Sequence, residues 1–341
     1  MSPMKLAIVG LGWWGKQIIA ALAPSTRLTV VCGVDPAAPG GTAEFLAAHG
    51  IRLEPEFDRM LRDPVIDGVV IATPHALHEE QVLAAIAAGK QVFCEKPVAM
   101  SAEGARRIAG ACAAKGLVLG VGHERRYEPA FRALVAMVEA GKLGRLLHLD
   151  ANVSHDLFRK LDAANWRLKA QDAPAAMMTA VGIHVTDLFV RLAGPVNEVQ
   201  AETASLVFAP PAEDFVSARF SFINGARGSL TCLSATPFYG RVTVYGDAGW
   251  VEIVSEGNVD QGKPTIMTVA TATGEPRLVR QFAATDTVIE NFEAWAAAVD
   301  GGAAYDFTAA QILANSELLE AIVRSAARSG ERIVIGAIGA P

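Results

Sequence analysis

Lys96 is the residue whose type and position best suit contact with a reacting oxygen. It lies between Glu95 and Pro97, at the end of the apolar run Gln91–Glu95, which predicts a buried parallel strand. An acid before it and a proline after it suit an ammonium group held in a fixed place. The position predicts that Lys96 binds and polarises a substrate oxygen. The alternative is an ordinary surface lysine that follows a strand.

His184 and Asp187 form a second pair with catalytic potential. They lie three positions apart on a predicted helix, Thr179–Ala193, which ends at Gly194. Residues at that spacing share a helix face, so Asp187 is expected to orient His184 as a general base. The alternative is a core histidine whose hydrogen bonds are satisfied by a carboxylate.

A histidine pair follows the predicted strand Val65–Thr73, in the segment Thr73-Pro74-His75-x-x-His78. Two histidines at this spacing suggest a metal site. However, no set of cysteine, histidine and glutamate residues completes one, so no metal is expected.

Two cation–aromatic pairs are candidates for a polar substrate pocket. Arg126 and Tyr127 stand where the residue pattern changes from one domain to the next, and Trp166 and Arg167 form a similar pair. In each pair the cation offers hydrogen-bond donors and the ring offers an apolar face. We therefore expect both pairs to contact substrate.

The element that positions these groups begins with a strand at residues 5–9, followed by Gly10-x-Gly12-x-x-Gly15 and a helix at 16–23. This order is the context that a dinucleotide-binding glycine motif requires. Gly10 allows the tight turn, Gly12 lets a pyrophosphate approach the backbone, and Gly15 lets the helix pack on the strand. The phosphates would then meet the N-terminus of the helix.

Asp35 ends the second apolar run, 20 positions after Gly15, where an acid can bind the ribose hydroxyls of a dinucleotide. The residues after it, from Pro36 to Ala38, provide no cation for a 2′-phosphate. The sequence therefore favours NAD over NADP. Trp13 and Trp14 lie inside the glycine motif and are also expected to contact the cofactor.

Two domains are predicted. Strands alternate with helices over residues 1–125, which predicts a Rossmann domain with a doubly wound parallel sheet. Ligands of such sheets bind at the carboxyl ends of the strands. The strand ends expected to converge are Gly10, Asp35, Thr73, Glu95, Lys96 and Gly122.

Residues 126–341 predict a C-terminal α/β domain with a large, mainly antiparallel open sheet. Alternating runs separated by turns, such as Asn224-Gly225, carry this prediction. Helices at 129–140 and 179–193 are expected to cover one face of the sheet. A second subunit is the expected cover of the other face.

The composition narrows the class of protein. The 341 residues are 51% hydrophobic and 19% charged, and the net charge of −6 gives no electrostatic reason to bind nucleic acid or an anionic membrane. No apolar run is long enough for a transmembrane helix. The four cysteines form no CxxC pair, which indicates buried free thiols. A cytoplasmic location is the resulting expectation.

Taken together, these motifs resemble those of the Gfo/Idh/MocA oxidoreductases, in the same order and over nearly the whole chain. The matching segments are Gly10-x-Gly12-x-x-Gly15, Ala72-Thr73-Pro74-His75-x-x-His78, Glu95-Lys96-Pro97, Gly122 through Arg126-Tyr127-Glu128-Pro129, Gly141-Lys142-x-Gly144, Trp166-Arg167 and Gly182-x-His184-x-x-Asp187.

The resemblance implies hydride transfer between NAD and a hydroxyl or carbonyl of a sugar, polyol or similar ring compound. It also implies a homodimer or homotetramer formed through the C-terminal sheet, and a cis Lys96–Pro97 bond. Some relatives instead hydrolyse glycosides with bound NAD, and others are non-catalytic regulators that bind NAD. Retention of Lys96 and His184 argues against a regulator.

The resemblance further implies cofactor contacts by Thr73, Pro74, His75, His78, Glu95 and Lys96, and substrate contacts by Lys96, Arg126, Tyr127, Trp166, Arg167, Thr179 and His184. Three positions depart from the family pattern. The aspartate usual four residues before the histidine is Ala180, the usual glycine cluster reads Asp172–Ala176, and His75 replaces an asparagine.

Overall fold

The computed structural model describes residues 2–162 and 165–336. It forms two compact units. The first contains the residues through Glu124 together with Asp286–Leu313, and the second contains Arg125–Thr285 and the chain from Ala314 onward. The predicted division into 1–125 and 126–341 therefore misplaces one segment, because Asp286–Leu313 groups with the N-terminal residues.

The strands are β1 (Met4–Val9), β2 (Leu28–Val34), β3 (Arg52–Glu54), β4 (Gly68–Ile71), β5 (Gln91–Cys94), β6 (Leu119–Val121), β7 (Leu146–Ser154), β8 (Val196–Ala204), β9 (Phe215–Phe222), β10 (Arg227–Leu233), β11 (Tyr239–Gly246), β12 (Gly249–Ser255), β13 (Thr265–Ala270), β14 (Leu278–Phe282) and β15 (Ile333–Val334). The helices are α1 (Trp13–Leu22), α2 (Thr42–Ala48), α3 (Phe57–Leu61), α4 (His78–Ala87), α5 (Ala102–Lys115), α6 (Pro129–Glu139), α7 (Gly182–Ala193), α8 (Thr287–Val299) and α9 (Ala309–Ala327).

The first unit contains a parallel sheet with the strand order β3-β2-β1-β4-β5-β6, counted over the described residues. The order runs outward in both directions from β1, which confirms the doubly wound prediction. Its central strands are apolar and buried except at Met4 and Lys5, as a sheet covered on both faces requires.

Helix α5 begins and ends as its sequence predicts. The Ser101 hydroxyl accepts a hydrogen bond from the Gly104 N–H, and Gly116 ends the helix at a positive φ of 65°.

The aromatic face of α8 explains why the segment after residue 285 belongs to the first unit. Phe292 stacks on Phe93 of β5 with ring centroids 3.8 Å apart, and Trp295 meets the same ring edge-on. The Trp295 indole N–H donates to the Val118 carbonyl at 2.9 Å, and the Asn291 amide donates to the Val121 carbonyl at 2.8 Å. This helix therefore covers the Rossmann sheet.

The second unit contains a sheet with the order β14-β13-β12-β11-β7-β10-β9-β8-β15 over the described residues. The β7–β10 pair is parallel and the other neighbours are antiparallel, so the predicted mainly antiparallel sheet is confirmed. Helix α6 contacts β12 and β13, and α7 contacts β7 and β10, so both helices cover one face. Strand side chains alternate between buried and partly exposed, which leaves the other face open.

Helix α7 begins at Gly182, three residues after the predicted start at Thr179. A short 3₁₀ turn, Ala176–Met178, precedes it, and Ala175 and Ala176 have φ of 56° and 52°. Alanine rarely adopts this left-handed conformation, so the chain turns sharply here instead of extending the helix.

All four cysteines are free and buried, as predicted. Among the helices of the described residues, none is both long and apolar enough to cross a membrane.

Candidate active site

The glycine turn after β1 leaves room for a phosphate group. Gly10 has φ of 93°, and a side chain there would place its Cβ 2.6 Å from the Ala72 carbonyl oxygen. A Cβ on Gly15 would lie 2.0 Å from the Gly10 oxygen, so both positions require glycine. A Cβ on Gly12, by contrast, would meet no atom within 4 Å. The N-terminus of α1, which has no side-chain cap, thus faces open space where a pyrophosphate fits.

Asp35 is held beside the same turn. One carboxylate oxygen accepts the Leu11 N–H at 2.9 Å, and the other accepts the Ala37 N–H at 2.9 Å. These bonds fix the carboxylate next to the glycine motif and leave lone pairs for ribose hydroxyls. The arrangement is the one that an NAD-binding Rossmann unit needs.

The two tryptophans of the motif differ in exposure. Trp13 is 57% exposed, whereas Trp14 is half-buried, and their ring centroids are 5.4 Å apart. The exposed ring of Trp13 is available for a ligand contact.

His78 has a different role from the predicted cofactor contact. Its side chain is completely buried, with Nδ1 2.7 Å from the Pro97 carbonyl oxygen and Nε2 2.9 Å from the Thr73 carbonyl oxygen. Burial lowers the pKa of His78. The ring thus joins the turn after β4 to the turn after β5, because both of its nitrogens face backbone carbonyls.

The other residues of this segment lie at the end of β4. The Thr73 hydroxyl donates to Gln81 at 2.6 Å, Pro74 is half-buried, and the buried His75 ring lies 5.6 Å from that of His78. Within residues 2–162 and 165–336, no three histidine, cysteine or acidic side chains are grouped as metal ligands.

Glu95 and Lys96 lie at the end of β5, and the Lys96–Pro97 bond is cis, as predicted. The pKa of the Glu95 carboxyl is raised to about 7, mainly by burial and secondly by the Glu124 carboxylate, while the Lys96 ammonium opposes the shift. A Cβ on Gly122 would lie 2.4 Å from the Glu95 carboxylate, so this glycine makes room for the acid.

Glu124, the other member of this acidic pair, is not among the residues predicted from the sequence. The position of Glu124 after β6 could have indicated this pair, because β6 is the neighbour of β5, with Cys94 opposite Val121. Both acids are therefore at the same edge of the sheet, and both are buried.

The second unit holds His184 near the start of α7. Its side chain is buried and lines a cleft. The cleft is also lined by Arg125, from the turn before α6, and by apolar residues of α6, α7 and the sheet.

Asp187 makes a contact that the sequence did not predict. Its two oxygens accept hydrogen bonds from Nε and Nη2 of Arg126, at 2.6 and 2.7 Å. Both side chains are at least 97% buried, since only 3% and 2% of their surfaces are exposed. The predicted substrate contact of Arg126 is thus replaced by an ion pair, and Asp187 anchors α7 to the turn that contains Arg126.

Tyr127 is also buried rather than placed on a surface. It is 2% exposed, and the Arg132 guanidinium lies 4.6 Å from its ring centre. Arg125, one residue before Arg126, donates to Glu128 at 3.1 Å and to Asn258 at 2.6 Å. These contacts make the segment a packed part of the second unit.

The remaining predicted substrate residues lie before α7. The Arg167 guanidinium lies 4.3 Å from the centre of the Trp166 ring, and both side chains are half-buried. Thr179 is 1% exposed and lies between the 3₁₀ turn and α7, so it is not helical as predicted.

The fold and motifs agree with the matches to known families. Residues 4–123 match the model described as an oxidoreductase family with an NAD-binding Rossmann fold, and residues 131–252 match the GFO/IDH/MocA C-terminal domain. The chain therefore belongs to the GFO/IDH/MocA oxidoreductase family, and its first unit is an NAD-binding domain.

Individual relatives are similar over most of the chain. A 1,5-anhydro-D-fructose reductase of Ensifer adhaerens is 28% identical over 275 residues, covering 80% of this chain and 81% of the relative. An inositol 2-dehydrogenase 2 of Saccharopolyspora erythraea is 29% identical over 339 residues, covering 95% and 93%. The solved structure of GenD2 from gentamicin A biosynthesis, in complex with NAD, has a TM-score of 0.84 at 25% identity, covering 98% and 97%.

Proposed function

We propose that this protein is an NAD-dependent dehydrogenase that transfers hydride between nicotinamide and a hydroxyl-bearing carbon of a sugar, polyol or similar ring compound. The observation that carries the proposal is the open α1 N-terminus beside the fixed Asp35 carboxylate, in the unit that also contains Lys96. The substrate class follows from the relatives, which are named as reductases and dehydrogenases of an anhydrosugar and of inositol.

The chemistry divides between the cofactor and the side chains. Bound NAD supplies the hydride acceptor, held by Gly10, Gly12, Gly15 and Asp35. Lys96 binds the substrate oxygen and stabilises its negative charge as the proton leaves. His184 accepts that proton as the general base. The Arg126–Asp187 ion pair holds the first turns of α7 in place and thereby positions His184.

The first experiment is a screen of inositols, sugars and dihydrodiols for NADH formation, followed by kinetics of His184→Ala and Lys96→Ala. A positioned general base contributes about 10²–10⁴-fold in rate, so His184→Ala should lose that much kcat with little change in NAD affinity. Thermal unfolding of each variant serves as the folding control. Near-normal kcat in His184→Ala would contradict the mechanism. Hydrolysis of an aryl glycoside without net NADH would contradict the proposed reaction.

We also propose that two copies of the chain associate through the open face of the second sheet. Side chains there form a linked polar group, since Ser229 donates to Asp150 at 2.6 Å and Asp150 pairs with Arg241. Exposed apolar residues, including Val279 at 62% and Tyr245 at 38%, lie on the same sheet. The four buried free thiols favour a reducing compartment, and we propose the cytoplasm.

A further inference from the structure

Arg167 lies on a short 3₁₀ turn, Trp166–Leu168. Its backbone N–H donates to the Asn165 side chain at 3.0 Å, which caps the turn. Its guanidinium lies 4.3 Å from the centre of the Trp166 ring. Stacking on an aromatic face fixes the plane of a guanidinium while leaving the N–H groups at its rim available.

Among the described residues, no carboxylate pairs with the charge of Arg167. Burial lowers the pKa of this arginine, so the surrounding structure disfavours its charged form. Three other arginines of the second unit have carboxylate partners: Arg125 with Glu128, Arg126 with Asp187, and Arg241 with Asp150. Across residues 2–162 and 165–336, the Arg167 side chain forms no ion pair or hydrogen bond.

The Arg167 side chain lines a small cleft in the second unit. Leu168, Ala173, Ala176 and Pro211 are apolar residues of its wall. Glu213 also lines the cleft, and its carboxylate accepts a hydrogen bond from the Thr203 hydroxyl. Ala173 and Ala176 belong to the segment that leads into α7, so the cleft adjoins the turn before the helix that contains His184.

We propose that this cleft binds the carboxylate of a hydroxylated acid, and that the substrate of the enzyme is therefore a sugar acid. This inference rests on the proposed dehydrogenase function. A planar guanidinium with free N–H groups matches a carboxylate with two parallel hydrogen bonds, and the bound anion supplies the missing counterion. The Glu213 carboxylate accepts hydrogen bonds from hydroxyls, which favours a ligand that also contains hydroxyl groups.

The test compares D-glucuronate with D-glucose, which differ by one carboxylate in place of a CH₂OH group. Binding of each is measured by calorimetry in the presence of NAD, and turnover by NADH formation. A hydrogen-bonded charge pair is worth about ten- to hundredfold, so the unmodified protein should favour glucuronate by at least about tenfold. Arg167→Gln should abolish this preference, whereas Arg167→Lys should retain part of it. Arg145→Gln removes an exposed arginine of the same unit and should leave the preference unchanged.

Competition by D-gluconate and by inorganic phosphate tests whether the site prefers a carboxylate or a phosphate. Competition by gluconate but not by phosphate supports a carboxylate site. Equal or stronger competition by phosphate overturns it, as does equal affinity for glucuronate and glucose in the unmodified protein.

Failure of the two proposals can be distinguished. NADH formation from neutral polyols without any preference for acids would leave the dehydrogenase function intact and refute the carboxylate site. Arginine-dependent binding of glucuronate without NADH formation from any substrate would support the carboxylate site and refute the dehydrogenase function.

Discussion

Glu95 is a buried acid whose ionisation opposes folding. Its pKa rises from an ordinary value of 4.5 to about 7, first because of burial and second because of Glu124. Between these two pH values the folded protein retains a proton that the unfolded chain has released. The free energy of unfolding therefore falls as pH rises through this window, by on the order of 3 kcal/mol, and is constant above it.

Glu95→Gln is expected to remove this pH dependence, because the amide has nearly the same shape and no charge. Compared with the unmodified protein, the variant should unfold at a higher temperature at about pH 8 and lose that advantage near pH 4. Thermal unfolding across the pH range measures the difference. Glu80→Gln, at an exposed position, is the matched control. An unchanged pH profile would show that Glu95 is ionised without penalty.

Asp35 is expected to set the choice of cofactor. Its fixed carboxylate would face the 2′-phosphate of NADP, so repulsion and desolvation should weaken NADP(H) relative to NAD(H) by about tenfold or more. The double variant Asp35→Ser, Pro36→Arg should narrow or reverse this ratio. Titration of cofactor fluorescence gives both affinities. Equal affinities in the unmodified protein would refute the role of Asp35.

The turn before α7 contains local backbone strain. Ala175 and Ala176 are both left-handed, a conformation that costs an L-residue about 1–2 kcal/mol, and both are buried. The strain lies in the segment that sets the direction of α7.

Ala175→Gly should therefore stabilise the protein, although glycine also makes the unfolded chain more flexible. We expect a net gain of up to about 1 kcal/mol, measured by chemical denaturation. Ala136→Gly is the control with the opposite sign, because Ala136 is exposed within α6 and glycine there should cost about 1 kcal/mol. Equal destabilisation by both substitutions would contradict the strain.

The Arg126–Asp187 pair connects α7 to the turn before α6. Asp187→Asn leaves the Arg126 charge buried without its anion, so we expect a loss of about 3–5 kcal/mol in unfolding free energy. The double variant Arg126→Met, Asp187→Leu removes both charges and should recover most of this loss. If the destabilisation of the double variant equals the sum of the destabilisations of Arg126→Met and Asp187→Leu measured singly, the pair has no coupling energy.

At the scale of the whole molecule, the open sheet face determines the expected assembly. Ile266 lies in the same cross-strand row as Val254 and Arg241, on the face opposite the helices. Ile266→Lys should convert the proposed dimer to a monomer in light scattering, because a buried unpaired charge would occur in both copies. Ala136→Lys, on the exposed side of α6, should leave the assembly unchanged. A monomeric unmodified protein would refute the interface.

The features that could be predicted from the sequence are those that depend on residues close together in the chain. Gly10 and Gly15 have no room for a side chain, and this follows from the contacts of one strand and one turn. Apolar runs of strand length define the parallel sheet. The Asp35 position, the buried thiols and the alternating strands of the second unit were predicted for the same reason.

Tertiary structure decided which distant groups meet. Arg126 and Asp187 are 61 positions apart, so no spacing rule could indicate that they pair and that Asp187 is not reserved for His184. Glu124 lies near Glu95 only because β5 and β6 are neighbouring strands. Helix α8 belongs to the first unit because its Phe292 stacks on Phe93. Each of these side chains could pair with many residues that are distant in sequence. Only the packing of the folded chain determines which of them lie close together, because burial stabilises the apolar and paired groups that the packing brings into contact.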